Sequence, residues 1–109
     1  MDKKNFFKFP DNFIWGVATS AYQIEGHTQI DGGGDSIWDV FAKDGGTLNG
    51  DNGDIAADHY HKYPEDHKLA KSLGFKSFRL SFSWPRLSPD ISGKILQSSG
   101  GKLVYFFNL

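Results

Sequence analysis

Apolar side chains alternate with small or polar ones in two stretches of the chain, which is the period of a β-strand. In residues 13–19, Phe13, Trp15 and Val17 share one face, and small residues recur on the other. In residues 75–84, large apolar residues alternate with serine and arginine. The apolar positions of this second stretch are Phe78, Leu80, Phe82 and Trp84, and the polar ones are Ser77, Arg79, Ser81 and Ser83. We predict a strand in each stretch, the first packed on both faces as in parallel α/β proteins.

The segment between the strands predicts helices over about residues 55–73. Pro64 suits the first turn of a helix and interrupts an existing one, so we expect one helix over residues 55–63 and a second that starts at Pro64 and ends at Gly74. The second helix carries a narrow apolar stripe, expected to cover the sheet, of Leu69, Ala70 and Leu73. Strand, helix, strand is a β-α-β unit, which predicts parallel strands with a right-handed crossover.

The remaining segments are predicted to be an arm, loops and a tail. Residues 1–10 form a loosely held arm, and its proposed anchors are Phe6, Phe7 and Phe9. Residues 25–54 contain glycine-rich loops and one short helix, which a capping box between Ser36 and Asp39 should start. Residues 90–109 follow the second strand as a loop and a short apolar tail.

Composition narrows the class of protein. A chain of 109 residues with 39% apolar residues and a net charge of -1 is typical of one small globular domain, and we expect no nucleic-acid partner. It contains no cysteine, which excludes disulfides and thiolate metal sites. The amino terminus lacks the apolar core of a signal peptide, and no stretch approaches the ~20 residues of a membrane span. We therefore expect a cytoplasmic protein without a membrane partner.

Three polar segments invite comparison with ligand sites. The DGGGD run at residues 31–35 lacks the spacing of a phosphate-binding loop, and the acidic loop at residues 43–54 lacks the residue order of a calcium-binding hand. Asp58, His59 and His61 resemble metal ligands, but histidines two apart point to different sides of a helix. We expect surface or structural roles for all three segments, and no metal or cofactor.

Two polar residues follow or line the predicted strands in a way that suggests a site. Gln23 lies just beyond the carboxyl end of the first strand, where ligands bind in parallel α/β proteins. Arg79 lies on the polar face of the second strand, and in a closed barrel that face is the interior. A buried arginine requires a carboxylate, and no nearby acid is an obvious partner. A polar face open to solvent, as in an antiparallel sheet, is the alternative.

Five motifs occur in an order that resembles glycoside hydrolase family 1. They are FxWGVATSAYQxEG, DGxGxSIWDxF, ADHYHxYxED, the Leu-Gly at Leu73 and Gly74, and FRxSxSWPR. The resemblance covers the amino-terminal quarter of that family, closely over residues 9–89 and loosely over residues 90–109. The tail departs from the family pattern, since the expected asparagine is Leu96 or missing.

The resemblance implies the amino-terminal β-α-β portion of a (β/α)8 TIM barrel, truncated after the second strand. It implies a retaining β-glycosidase of the β-glucosidase type, whose two catalytic glutamates lie in T-x-N-E-P and E-N-G motifs. This chain's glutamates, Glu25 and Glu65, match neither motif, so we assign no catalytic residue and predict that the chain alone is inactive. By the same resemblance, Gln23 holds hydroxyls of the non-reducing sugar and Arg79 pairs with the nucleophile.

The resemblance also suggests a substrate and leaves alternatives. Relatives that act on 6-phosphoglycosides usually have asparagine before the glutamine, whereas this chain has Tyr22, which favours an unphosphorylated β-glucoside. A non-catalytic sugar-binding protein would instead use three tryptophans and the glutamine, which are Trp15, Trp38, Trp84 and Gln23. A third possibility is an interaction protein that binds a full-length relative.

Overall fold

The computed structural model describes residues 6–90 and 92–94. Its regular elements are β1 (Gly16–Ala18), α1 (Ala21–Ile24), α2 (Ile37–Lys43), α3 (His59–Ser72), β2 (Ser77–Arg79) and α4 (Trp84–Leu87), with 3₁₀ turns at Ile30–Gly32 and Leu48–Gly50. Most of the predicted tail and the first half of the predicted arm lie outside the described residues. Within the described part, no helix is both long and apolar enough to traverse a lipid bilayer.

The two strands pair in parallel, which confirms the predicted strand, helix, strand order. Gly16 pairs with Ser77 and Ala18 pairs with Arg79. A Cβ on Gly16 would lie 2.8 Å from the Ser77 Cβ, so the close approach of the two strands at this point requires glycine. Side chains of paired residues point to the same side, which separates one face with Val17 from another with Arg79.

Both strands are shorter than the alternating pattern predicts. The pattern indicated strands over residues 13–19 and 75–84, but only three residues of each form the ladder. Outside the strands, one further backbone hydrogen bond extends the pairing at each end. The prediction that Trp84 belongs to the strand was wrong, because Trp84 begins α4. Pro85 suits the first turn of this helix, since its φ is already helical and the amide hydrogen that it lacks would have no partner within the helix there.

A single helix, α3, replaces the two helices predicted around Pro64. Side chains on both sides of the proline are buried, His59 and Tyr60 before it and His67 after it. Their packing holds the two halves in line even though the proline cannot donate to the preceding turn. The helix ends at Gly74 as predicted: Gly74 has a φ of 84°, and the Phe75 amide donates to the Ala70 carbonyl over 3.2 Å.

The face of α3 that covers the sheet is built from histidines, whereas leucines were predicted. The His67 ring packs edge-on against Phe78 at 4.8 Å between centroids, and the His59 ring stacks on the same residue at 6.4 Å. Leu69 and Leu73 are 59% and 65% exposed. The predicted stripe was therefore wrong for Leu69 and Leu73, because the row His59, His67 and Ala70, with its 3.6-residue period, turns these leucines outward.

The capping box at the start of α2 is present as predicted. The Ser36 hydroxyl accepts from the Asp39 amide, and the Ser36 amide donates to the Asp39 carboxylate over 2.7 Å.

In the amino-terminal arm, only part of the prediction holds. Phe9 packs edge-on against Trp15 at 4.6 Å between centroids, but Phe6 and Phe7 are almost fully exposed and anchor nothing among the described residues.

Candidate active site

Hydrogen bonds join the carboxyl ends of the two strands and position the segment that carries Gln23. The Thr19 amide donates to the Arg79 carbonyl over 2.9 Å, and the Ala21 amide donates to the Ser81 hydroxyl over 2.9 Å. These bonds fix the start of α1 beside the end of β2. Gln23 lies in α1, one turn beyond the strand end, and its side chain is exposed.

Arg79 lies at the last position of β2 on the face turned away from α3. Phe78, its neighbour, packs under the helix, whereas Arg79 and Ser77 are exposed. Within residues 6–90 and 92–94, the Arg79 guanidinium forms no ion pair. The structure thus brings Gln23 and Arg79 to the same end of the sheet, both open to solvent.

The charge pair that sequence reasoning missed connects Glu25 with Arg86. Both side chains are buried, and the Arg86 Nε donates to the Glu25 carboxylate over 3.2 Å. The Arg86 Nη2 donates to the Gly26 carbonyl over 2.9 Å, and its guanidinium carbon lies 4.1 Å from the centroid of the Tyr60 ring. Arg86 therefore binds the segment after β1, the start of α3 and α4 into one unit.

Burial dominates the electrostatics of this pair. Loss of solvation raises the pKa of the Glu25 carboxyl above its ordinary value, although the adjacent Arg86 charge and hydrogen bond act in the opposite direction. A carboxylate in this setting depends on its arginine, because a buried charge without a partner costs several kcal/mol.

The sequence carries no local signal for this pair, because Glu25 and Arg86 lie 61 residues apart. Ala18 and Arg79 are opposite each other in the parallel ladder, and Glu25 and Arg86 each lie seven residues beyond them. The parallel register therefore places both residues in the segments that follow the carboxyl ends of the two strands. No sequence-based prediction paired Arg86 with an acid, since only Arg79 was expected to be buried.

A cavity of about 290 Å³ lies beside α1 and α4. Its walls include the aromatic side chains of Tyr22, Trp38, Phe82 and Trp84 and the hydroxyls of Ser20, Ser36, Ser81 and Ser83. The Tyr22 hydroxyl donates to the Trp38 carbonyl over 3.3 Å, which fixes one wall. Trp15 and Gln23 do not line this cavity, so the four-residue sugar site considered from the sequence is not assembled as such among the described residues.

The acidic and histidine-containing segments make internal contacts. Asp31 accepts a hydrogen bond from Tyr60, and Asp35 pairs with Lys43 at 2.7 Å. His59 pairs with Asp66 at 2.6 Å, whereas His61 pairs with Asp58 at 2.6 Å. As their spacing predicted, His59 and His61 point to different partners.

Comparison with known proteins assigns the family. The model of glycosyl hydrolase family 1 matches residues 6–108. The chain belongs to glycosyl hydrolase family 1. The resemblance seen in the five motifs is therefore confirmed.

Curated relatives in glycosyl hydrolase family 1 are about half identical to this chain. A protein described as Beta-glucosidase 4 from Oryza sativa subsp. japonica is 52% identical over 101 residues, which are 92% of this chain and 20% of that protein. Beta-glucosidase A from Acetivibrio thermocellus is 54% identical over 90 residues, covering 82% of this chain and 20% of that protein. The chain thus spans about a fifth of the length of these relatives.

Solved structures of the family confirm the fold. The family 1 β-glucosidase from Thermotoga maritima superposes with a TM-score of 0.84 at 45% sequence identity, over 91% of this chain and 23% of that chain. The same enzyme in complex with castanospermine gives a TM-score of 0.83. The described residues are the β-α-β portion with which this (β/α)8 barrel begins.

Proposed function

We propose that this chain supplies the sugar-binding first quarter of a retaining β-glycosidase of the β-glucosidase type. The observation that supports the proposal is the joint placement of Gln23 and Arg79. Gln23 follows the carboxyl end of β1 and Arg79 is the last residue of β2, so both lie at the same end of the parallel pair, and both are exposed. In (β/α)8 barrels this end carries the active site.

Gln23 has the chemistry that recognition of sugar hydroxyls needs. A primary amide offers two donors and one acceptor, which matches two neighbouring hydroxyls of a pyranose. Its backbone is fixed by α1, which the Ala21 to Ser81 hydrogen bond ties to the second strand. We infer that Gln23 binds the non-reducing sugar.

Arg79 has the chemistry of a partner for a carboxylate nucleophile. Its planar guanidinium can bind a carboxylate through two hydrogen bonds. In our proposal, the carboxylate that it binds lies outside this chain. The general acid/base and the nucleophile of a retaining enzyme are two carboxyl groups about 5 Å apart. We assign neither glutamate of this chain to such a pair. Glu25 is hydrogen-bonded to Arg86, and Glu65 lies in α3.

The experiment uses an enzyme in which residues 6–90 of this chain replace the matching segment of the Thermotoga maritima β-glucosidase (the barrel chimera). We expect the barrel chimera to hydrolyse 4-nitrophenyl β-glucoside. Arg79→Lys should lower kcat by at least about 10²-fold, because an ammonium cannot reproduce the two-point contact. Gln23→Ala should lower kcat and also raise KM, because the sugar hydroxyls are held more tightly in the transition state.

Ser77→Ala is the matched control, since Ser77 is an exposed polar residue on the same face of β2 as Arg79. It should retain kcat within about twofold of the parent. Normal turnover in the Arg79→Lys chimera would contradict the role of Arg79. A change in KM alone for Gln23→Ala would limit that residue to binding of the ground state.

The sugar itself is proposed to be unphosphorylated, on the basis of Tyr22. Relatives of similar identity include β-glucosidases and an Aryl-phospho-beta-D-glucosidase from Bacillus subtilis, which is 52% identical over 88 residues. The barrel chimera should prefer 4-nitrophenyl β-glucoside over its 6-phosphate by kcat/KM. Tyr22→Asn is the variant that tests the residue, and a preference for the phosphorylated substrate in the parent chimera would overturn this part of the proposal.

A non-catalytic sugar-binding protein is the second candidate. The cavity beside α1 and α4 favours it, because Trp38 and Trp84 line it together with several serines. Saturable binding of glucose or cellobiose to the 109-residue chain, lost in Trp38→Ala, would support this function. Absence of binding by calorimetry at millimolar sugar would remove it.

A further inference from the structure

Two histidines and an aspartate from separate segments converge on one point of the surface. The His27 Nε2 lies 3.1 Å from the Asp58 Oδ1, and the His61 Nδ1 lies 2.6 Å from the same oxygen. The rings of His27 and His61 approach edge-on with their centroids 4.7 Å apart. One potential metal ligand from each residue lies within 4.8 Å of the other two.

The backbone of two separate segments positions these three side chains. His27 follows α1, and its amide donates to the Asp54 carbonyl over 2.6 Å. Asp58 is the residue before α3, and His61 lies in the first turn of that helix. The His61 amide donates to the Asp58 carbonyl over 3.0 Å, which fixes those two residues relative to each other.

A first-row transition cation fits this arrangement with a small adjustment. In a tetrahedral site with bonds of about 2.0–2.1 Å, the donor atoms are about 3.3 Å apart. The Asp58 Oδ1 lies 3.1 Å from the His27 Nε2 and 2.6 Å from the His61 Nδ1, and one donor atom of each residue lies within 4.8 Å of the other two, so small side-chain movements bring the three to that spacing. Each neutral imidazole can move its proton to its other ring nitrogen and so free a lone pair for the metal.

We propose that His27, Asp58 and His61 form a binding site for a divalent transition metal of the Zn²⁺ class. Two imidazole nitrogens and one carboxylate oxygen suit Zn²⁺, Cu²⁺ or Ni²⁺ and do not suit Mg²⁺ or Ca²⁺, which prefer oxygen ligands. The side chains of His27 and Asp58 are 30% and 25% exposed, and that of His61 is 48% exposed, so water can complete the coordination.

The metal fastens the segment after β1 to the start of α3. His27 and Asp58 bracket the long stretch of loops and short helices between the strands, so one ion closes that stretch at its base. No metal site was expected here, because His59 and His61, two residues apart, point to different sides of a helix. The fold replaces His59, which pairs with Asp66, by His27 from a distant segment.

The experiment measures zinc binding to the tag-free barrel chimera, by calorimetry and by metal analysis after dialysis. Wild type should retain about one Zn²⁺ per chain, whereas Asp58→Asn and His61→Gln should each raise the Kd at least about tenfold. Asp51→Asn, which removes an exposed carboxylate outside the cluster, is the matched control and should bind as the wild type does.

A second readout identifies the ligands directly. Co²⁺ bound to wild type should give the visible absorption of a four-coordinate N/O site, and zinc should displace it. The proposal is overturned if the parent barrel chimera holds no zinc, or if Asp58→Asn and His61→Gln bind zinc as tightly as Asp51→Asn does. It is also overturned if Mg²⁺ competes with zinc at equal concentration.

Discussion

At the scale of single residues, Arg86 has more partners than any other charge described above. It contacts a carboxylate, a backbone carbonyl and an aromatic face, which are those of Glu25, Gly26 and Tyr60. Arginine suits this position because its guanidinium can donate in plane and stack out of plane at the same time. Lysine could satisfy only part of this set.

Arg86→Leu should destabilise the barrel chimera by about 3–5 kcal/mol, because Glu25 would remain buried without its partner. The measurement is the urea midpoint of unfolding. Lys68→Leu is the control for loss of a cation, since Lys68 is exposed on α3 and its loss should shift the free energy of unfolding by no more than about 0.5 kcal/mol. Equal shifts for the two variants would show that the Glu25 to Arg86 pair contributes nothing specific.

The pH dependence of stability should show an unusual contribution from Glu25. Its pKa is raised by burial in the folded state, so the folded protein binds the proton more tightly than the unfolded chain does. The Glu25 contribution to stability is therefore greatest below about pH 4.3 and is lost as the pH rises through the raised pKa.

Glu25→Gln tests this sign in the barrel chimera. The stability of the parent minus that of Glu25→Gln should increase as the pH falls from 7 to about 4. Urea unfolding at several pH values measures the difference. A difference that decreases over the same range would mean that the Arg86 charge, and not burial, controls the Glu25 carboxyl.

At the scale of elements, α3 shows how tertiary packing overrides a local signal. Pro64 removes one hydrogen bond from the helix, yet the buried residues on either side of it, His59 and His67, both contact Phe78. Two ring contacts to the same strand residue keep the helix continuous. The proline is therefore tolerated at a cost in helix stability.

Pro64→Ala should increase the free energy of unfolding of the barrel chimera by roughly 1–3 kcal/mol, because alanine restores the missing donor and has a far higher helix propensity. Lys68→Ala, an exposed position on the same helix, should change stability by less than about 0.5 kcal/mol. Reduced stability of the Pro64→Ala protein would indicate that the proline fixes a bend that the packing requires.

Local chemistry made some of these elements predictable from the sequence. The capping box at Ser36 and the end of α3 at Gly74 depend on residues within one turn, and the parallel pairing follows from strand, helix, strand order. The continuity of α3, the histidine face and the Glu25 to Arg86 pair depend on contacts between distant segments. Alternation therefore predicted which face of β2 is apolar but not how many of its residues find a paired strand.

At the scale of the whole molecule, the described residues bury little apolar surface. Their buried apolar residues are Ala21, Tyr60 and Leu87, while large side chains such as Phe13, Trp15, Phe82 and Trp84 are exposed. The sheet of the described part has two strands, so each strand has an unpaired edge. In a closed barrel of the family, neighbouring strands and helices would cover both the edges and these side chains.

The 109-residue chain expressed alone should therefore neither hydrolyse 4-nitrophenyl β-glucoside nor elute as a folded monomer. Its open strand edges and exposed aromatic residues favour association, and a two-stranded sheet with one covering helix offers little free energy against chain entropy. We expect partial helicity by circular dichroism and a broad thermal transition. In size-exclusion chromatography, the apparent mass should exceed that of one chain. The barrel chimera is the control that should be monomeric and cooperative. A monomeric chain with a cooperative transition would establish a self-sufficient domain and would favour the sugar-binding function.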